Sequence, residues 1–294
     1  MQSINYGMLN GAIRFAIENN PENEGDYRGE DGLLMCGKCH TKKETITPVQ
    51  VIGGKEIGGN VIPYACECRR EQQRQEEEER RREHERARIE AMKDYGLKDA
   101  QYRESTFAAD DGGNPEASRI CKAYADNWEK INQMERKGKG LLLHGDVGSG
   151  KTYLAASIAN ALIDKGVAVI MTNLPALGHA MTANFGDERE SVLRRVKTVP
   201  LLIIDDFGME RNTPSALENA IEIINTRYKS GKPLIITTNL TMDVFKSTKE
   251  TNYSRLYTRV QEMCPTGVKV NKAGRRQALA KESHDEMQKI LGLK

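Results

Sequence analysis

Gly145-Asp146-Val147-Gly148-Ser149-Gly150-Lys151-Thr152 is the stretch that decides the fold. It has the spacing Gly-x4-Gly-Lys-Ser/Thr, and each residue type has a task at a phosphate. Glycines let backbone N–H groups turn inward with no Cβ in the way, so the whole loop, Asp146, Val147 and Ser149 included, forms the expected triphosphate cradle. Lys151 places a cation on the β- and γ-phosphates, and the Thr152 hydroxyl is a ligand for Mg²⁺. The flanks agree. Leu141-Leu142-Leu143-His144 reads as a strand, and Lys151–Asp164 reads as a helix whose N-terminus favours anions. A chance match in a chain of this length is on the order of 1% from average residue frequencies.

Working outward, short apolar runs bounded by Gly or Pro alternate with helical patterns. Strands are expected at 140–144, 167–172, 200–205 and 233–238. Helices are expected at 175–183, 188–196 and 214–228. That alternation predicts an α/β core, a mostly parallel sheet covered by helices on both faces. Leu201-Leu202-Ile203-Ile204-Asp205-Asp206 is an apolar strand ending in two carboxylates. Asp205 is the candidate to hold Mg²⁺ through water, and Asp206 to orient the attacking water. Leu234–Asn239 is a further apolar strand with a polar end, which makes Asn239 a candidate to position that water.

Together, GDVGSGKT, LLIIDDFG, a helix carrying NTRY, and PLIITTNL resemble the AAA+ ATPases of the replicative-helicase loader group, DnaC and DnaI. The IstB-type transposition helper ATPases are close relatives of that group. The resemblance covers about residues 95–280. It implies a five-stranded AAA+ P-loop core in which Asp205 and Asp206 form the Walker B pair and Asn239 is sensor 1. Arg255-Leu-Tyr-Thr-Arg259-Val matches the family's arginine pattern, with Arg259 similar to the finger that reaches a neighbour's γ-phosphate. Pairing of that helix face with Glu262 or with solvent is the plainer alternative. Sensor 2 would fall at Arg275 or Arg276, with Arg276 preferred, although the family's serine is absent here.

Ahead of the core lie two further zones. Cys36-x-x-Cys39 and Cys66-x-Cys68 flank a stretch that reads as a hairpin, so four thiolates meet at its base and make a tetrahedral site suited to structural Zn²⁺. His40 is an alternative ligand, and burial without metal an alternative explanation. Cys121 and Cys264 are assigned to packing. Between Arg69 and Glu90 there are eight arginines and eight glutamates, with Glu76/Arg80, Glu77/Arg81 and Glu78/Arg82 spaced i,i+4. No apolar seam accompanies them, so a solvated helix is expected rather than a coiled coil or a basic nucleic-acid arm. The expected divisions are 1–68, a zinc module; 69–95, a charged helical linker; and 96–294, the ATPase domain. DnaI-like loaders carry a zinc module that contacts the helicase.

Of 294 residues, 38% are apolar and 29% charged, with a formal charge of +2, so bulk electrostatics name no partner. The segment from Lys246 to Lys294 is the most basic part. It is either a solvated helix or, as the family implies, a surface for single-stranded DNA. Aromatic residues are only 5%, which leaves little for base stacking. No apolar run approaches the ~20 residues that span a bilayer. The opening MQSINYGMLN has no signal-peptide pattern, so membrane and secreted classes are excluded and a cytoplasmic place is expected. The resemblance implies an Mg-ATP-dependent, self-associating loader of the replicative helicase hexamer onto single-stranded DNA. Two alternatives stand beside it: an IstB-like transposition helper, and a zinc-containing adaptor that nucleotide switches without appreciable turnover.

Overall fold

A computed structural model describes residues 23–135, 138–182, 187–208, 213–247, 251–271 and 275–293. The chain divides into two compact units, Met1–Arg86 and Ala87–Lys294.

The first unit is small. β1 (Tyr27–Arg28) pairs antiparallel with β2 (Leu34–Met35). The expected hairpin is a nested pair. β3 (Glu44–Ile46) and β6 (Val61–Pro63) form the outer antiparallel ladder, and β4 (Gln50–Ile52) and β5 (Lys55–Ile57) form the inner one. Among its described residues little apolar surface is buried, mainly Leu33, Leu34, Cys36 and Cys66, while Ile46, Val49, Val51 and Val61 face solvent. A buried ion pair joins Lys43 Nζ to Asp26 Oδ2 at 2.6 Å. The Asn23 N–H and Lys43 hold the Asp26 carboxyl well below its ordinary range, at about 2.

The charged stretch is one helix, α1 (Glu67–Gly96). Of the i,i+4 pairs, Glu78–Arg82 closes at 2.6 Å, whereas Arg80 turns to Glu77 and Glu76 accepts from Gln72. These side chains are mostly exposed, so the pairs contribute little to stability.

The second unit is three-layered. α2 (Ala100–Glu104), a short 3₁₀ turn (Phe107–Ala109), α3 (Pro115–Asp126) and α4 (Trp128–Gln133) precede β7 (Leu141–His144). Next come α5 (Lys151–Ile163), β8 (Val169–Asn173), α6 (Leu174–Thr182), α7 (Asp187–Thr198) and β9 (Leu201–Phe207). The chain closes with α8 (Pro214–Ser230), β10 (Leu234–Thr238), α9 (Met242–Ser247), α10 (Thr251–Met263), β11 (Thr266–Lys269) and α11 (Arg275–Ile290).

The five strands stand in the order β11-β7-β10-β9-β8, and every neighbouring pair is parallel. Continuous apolar strands work because both faces are covered. Leu141, Leu143, Leu201, Ile203 and Ile235 pack into the cluster with α3 and α5. Leu142, Leu202, Ile204, Leu234 and Ile236 pack into the opposite one with α7, α8 and α10. β11, which the apolar pattern does not reveal, is an edge strand in which only Val268 is buried. Cys121 and Cys264 are buried in these two clusters, as packing requires. Among the described residues no helix is long and apolar enough to cross a membrane.

Arg227 of α8 is fully buried and ties three elements together. Its guanidinium donates to the carbonyls of Val196 at 2.9 Å, Val199 at 2.7 Å, Pro200 at 3.0 Å and Pro233 at 3.1 Å. These carbonyls belong to the end of α7 and to the entries of β9 and β10, so one side chain sets where those strands begin.

Candidate functional site

Parallel register gathers the sequence-predicted residues at one end of the sheet. His144 pairs with Thr238, and Thr238 pairs with Phe207, so Gly145, Asn239 and Gly208 leave three adjacent strands at the same level. Ligands bind at this carboxyl end in open α/β sheets.

The loop after β7 runs into α5 through Gly150, whose φ of +103° is a left-handed conformation that a side chain would strain. At Gly145 (φ +150°) an added Cβ would meet the Val270 carbonyl at 2.2 Å. Lys151 is buried, and its Nζ donates to the carbonyls of Gly145 (2.9 Å) and Asp146 (2.7 Å). Ser149 is buried, while Asp146 and Val147 are exposed at the tip. Asn114, at the start of α3, donates to the Ser149 carbonyl at 3.0 Å and accepts the Asn271 N–H at 3.0 Å. No sequence motif points to Asn114.

Thr152 Oγ1 donates to Asp205 Oδ1 at 3.0 Å, which joins the phosphate loop to the end of β9. Two oxygens so placed are a hard donor set of the kind Mg²⁺ takes. Thr237 also donates to Asp205 Oδ1, and the Tyr102 phenol donates to Oδ2 at 3.1 Å. Burial and the charge of Asp205 hold the Tyr102 phenol above its ordinary pKa, which keeps it a donor.

Asp205 and Asp206 do not simply alternate. Ile204 pairs with Ile236 and Phe207 with Thr238, leaving both aspartates opposite the single residue Thr237. This is a β-bulge, and Asp206 sits on it with φ +51°. The bulge buries Asp205 and exposes Asp206. Thr237 clamps it by accepting the Asp206 N–H at 2.9 Å while donating to Asp205. Asn239 follows one residue after β10, and its Oδ1 is buried with no partner among the described residues. That atom is a ready acceptor at the same end of the sheet. Burial, with help from Lys269 and Lys151, holds the His144 imidazole below its ordinary pKa, so at neutral pH the positive charge at the loop comes from the lysines.

Arg259 lies on α10, which packs into the cluster on the sheet face opposite α5. Its guanidinium bonds Asn225 Oδ1 and stands 5.7 Å from the centroid of the Tyr228 ring. Glu262 accepts from the Tyr228 hydroxyl at 2.5 Å, and among the described residues no ion pair joins it to Arg259. Arg255 is exposed. Arg276 falls in the first turn of α11, and the side chains of Arg275 and Arg276 lie outside the described residues.

Residues 126–255 match the family described as IstB-like ATP binding protein. The chain is 26% identical over 210 residues to the replicative helicase loader DnaI of Bacillus subtilis, which covers 71% of this chain and 63% of that protein. It is 33% identical over 132 residues to the replicative helicase loader DnaC of Escherichia coli K12, or 42% of this chain and 53% of that one. Over these residues the second unit is similar both to the DnaI and DnaC helicase loaders and to the IstB-like ATP binding proteins. A crystal structure of the DnaC helicase loader is similar to 60% of the chain at 24% identity, with a TM-score of 0.48, and is itself covered to 100%. The chain spans less than two thirds of the length of these two relatives. The matched family is described as ATP-binding, and the match includes the loop Gly145–Thr152.

In the first unit the four thiols Cys36, Cys39, Cys66 and Cys68 have sulfurs all within 4.8 Å of one another. The Thr41 hydroxyl, 3.1 Å from Cys39 Sγ, holds that thiol down at about 5. Burial holds Cys66 up, and hydrogen bonding with Cys66 holds Cys68 up to about 12. Four crowded sulfurs therefore cannot all lose their protons without a cation among them, and a tetrahedral S₄ set is what structural Zn²⁺ takes. His40 is outside the cluster, its Nδ1 3.2 Å from the Tyr27 hydroxyl.

Proposed function

We propose that this protein is an Mg-ATP-dependent loader of the replicative helicase. ATP assembles it into an oligomer, and hydrolysis releases the helicase onto single-stranded DNA. The observation that carries the catalytic half is the Thr152–Asp205 hydrogen bond, which sets two oxygens of the kind Mg²⁺ takes side by side next to the loop. The cysteine module and charged helix ahead of a DnaC/DnaI-like AAA+ domain carry the loader half, with helicase contact assigned to the module.

The reaction is in-line attack of water on the γ-phosphorus. Mg²⁺, held by Thr152 and Asp205, would neutralise charge on the phosphate oxygens. The loop N–H groups of 145–150 orient the triphosphate, and the Lys151 ammonium offsets charge that develops in the transition state. Asp206, turned outward by its bulge, and the acceptor oxygen of Asn239 orient the water. Arg259 from a neighbouring subunit completes the site, and Arg276 is the sensor 2 candidate.

Arg259→Ala is expected to bind ATP normally but hydrolyse it at least ~10³ times more slowly, the range for a finger supplied in trans. Mixed with Lys151→Ala, it should regain turnover, because each variant supplies what the other lacks. A mixture as inactive as its components would remove the shared site. Metal analysis of the chain is expected to find about one zinc per chain, the content of an S₄ site. Cys68→Ser should lower it well below that and loosen the β3–β6 ladder, seen as faster amide exchange there. Wild-type protein with well under one zinc would end the metal assignment.

The loader reading is tested by capture of purified replicative helicase against purified transposase on the full chain with ATP. Helicase retention supports it. Retention of transposase alone favours the IstB-like helper, which the match at 126–255 also suits. Helicase binding without ATPase activity, single-stranded DNA present, favours the switched adaptor.

A further inference from the structure

We propose that Tyr102 is a positioning residue of the Mg-ATP site, acting through the Asp205 carboxylate and coupling metal loading to the strap of chain at 97–106. The proposal rests on the ATPase reading above.

Of the three hydroxyls that Asp205 accepts, Thr152 comes from the phosphate loop and Thr237 from the adjacent strand. Tyr102 comes from neither. It sits on α2, ahead of the sheet, and reaches Oδ2 at 3.1 Å while the other two share Oδ1. A carboxylate gripped on both oxygens has its plane fixed. Without the phenol, Oδ2 keeps no donor among these three and the group can turn about its bond.

The strap that carries Tyr102 is itself tied at both ends. Asn160 of α5 donates to the carbonyls of Tyr102 at 2.7 Å and Ser105 at 2.8 Å, and the Tyr153 hydroxyl donates to the Thr106 carbonyl at 2.6 Å. Arg103 donates to the Leu97 carbonyl at 2.8 Å and pairs with Asp94 of α1 at 2.5 Å. Leu97 is fully buried and bridges to Met171 of β8. Hydrogen bonds from Arg103 to the last turns of α1 and from Tyr102 to Asp205, joined by the peptide link between these two neighbours, therefore connect α1 to the metal-facing carboxylate. A phenol that merely needed a partner under burial would leave metal dependence alone. One that fixes a metal-facing carboxylate would not, because outer-shell partners orient the ligand.

The test is calorimetry of ATP binding to the full chain, in EDTA and in Mg²⁺, for wild type and Tyr102→Phe. Affinity in EDTA should be unchanged in the variant. The strengthening by Mg²⁺ should fall about 10-fold, the low end for loss of an outer-shell partner. The Mg²⁺ concentration for half-maximal turnover should rise in step, with KM for ATP unchanged at saturating metal. An Mg²⁺ effect equal to wild type would overturn the proposal, as would parallel losses in EDTA and Mg²⁺, which mark a strap that has come loose. A second measurement needs no variant. Amide exchange at 97–106 should slow when Mg²⁺ is added to wild-type protein already holding ATP, and no change there would refute the coupling. Wild type that binds no ATP in either buffer would bring down the ATPase reading itself, an outcome separate from these.

Discussion

Lys151→Ala should leave the protein folded and unable to hold ATP, with turnover lowered on the order of 10²–10³-fold or more, the range for losing one preorganised charge-stabilising donor. The side chain is buried and spans its own loop, so the substitution removes two things at once. It removes the only lysine in the loop Gly145–Thr152, and it removes a donor from the Gly145 and Asp146 carbonyls. The second loss is modest, about 1–3 kcal/mol, as for other acceptors left without a partner. The loop glycines still set the backbone, and α5 still packs through Leu154, Ile158 and Leu162. Calorimetry with ATP, beside a thermal melt that stays within a few degrees of wild type, separates lost binding from lost fold. Tight ATP binding by the variant would mean that the nucleotide sits elsewhere.

Arg227→Met is the largest expected effect on stability. Methionine preserves part of the packing volume but removes donors from four carbonyls at once. Each acceptor left unpaired under burial costs about 1–3 kcal/mol, and neighbours share the loss, so a total of roughly 3–5 kcal/mol is expected. Against a domain stability of about 5–15 kcal/mol that is a large fraction. At 2–4 °C per kcal/mol, the melting temperature of the second unit should fall by roughly 10 °C. Burial lowers the arginine's pKa to about 9, so at neutral pH it remains charged in both the folded and unfolded chain. The sign follows from proton counting. Between about pH 9 and its unfolded value the unfolded chain binds more protons, so any contribution of this group rises with pH there and is flat below. The deficit of Arg227→Met measured by denaturant titration should accordingly be the same at pH 6 and pH 8. A melt within a degree or two of wild type would show that solvent or backbone rearrangement replaces its hydrogen bonds.

The phosphate loop and the strand ending in Asp205 were legible because their chemistry is local. A glycine spacing and a run of apolar residues ending in carboxylates each specify one backbone shape, and β7, β9 and β10 lie where that pattern placed them. The helices agreed within a residue or two, since their apolar periodicity is contiguous. β11 was not legible. Thr266–Lys269 buries only one side chain, and an edge strand needs no apolar run. Tyr102, Thr237 and Asn114 escaped for another reason. Each acts through hydrogen bonds to partners between 31 and 157 residues away in the chain, and nothing in a linear pattern encodes such a pairing.

Sequence by itself determined the class of fold, the glycine-rich loop between β7 and α5, the two acidic candidates and the pairing of cysteines across a hairpin, because short-range spacing and periodicity carry those. Tertiary structure alone decided that Asp205 turns inward and Asp206 outward, since that division comes from the bulge opposite Thr237 rather than from strand alternation. It alone decided that Arg259 rests on Asn225 and the Tyr228 ring. It alone decided that a tyrosine ahead of the sheet reaches the Asp205 carboxylate. The physical reason is common to all three: register between neighbouring elements fixes which distant groups meet, and register is a property of the packed sheet rather than of any one segment of chain.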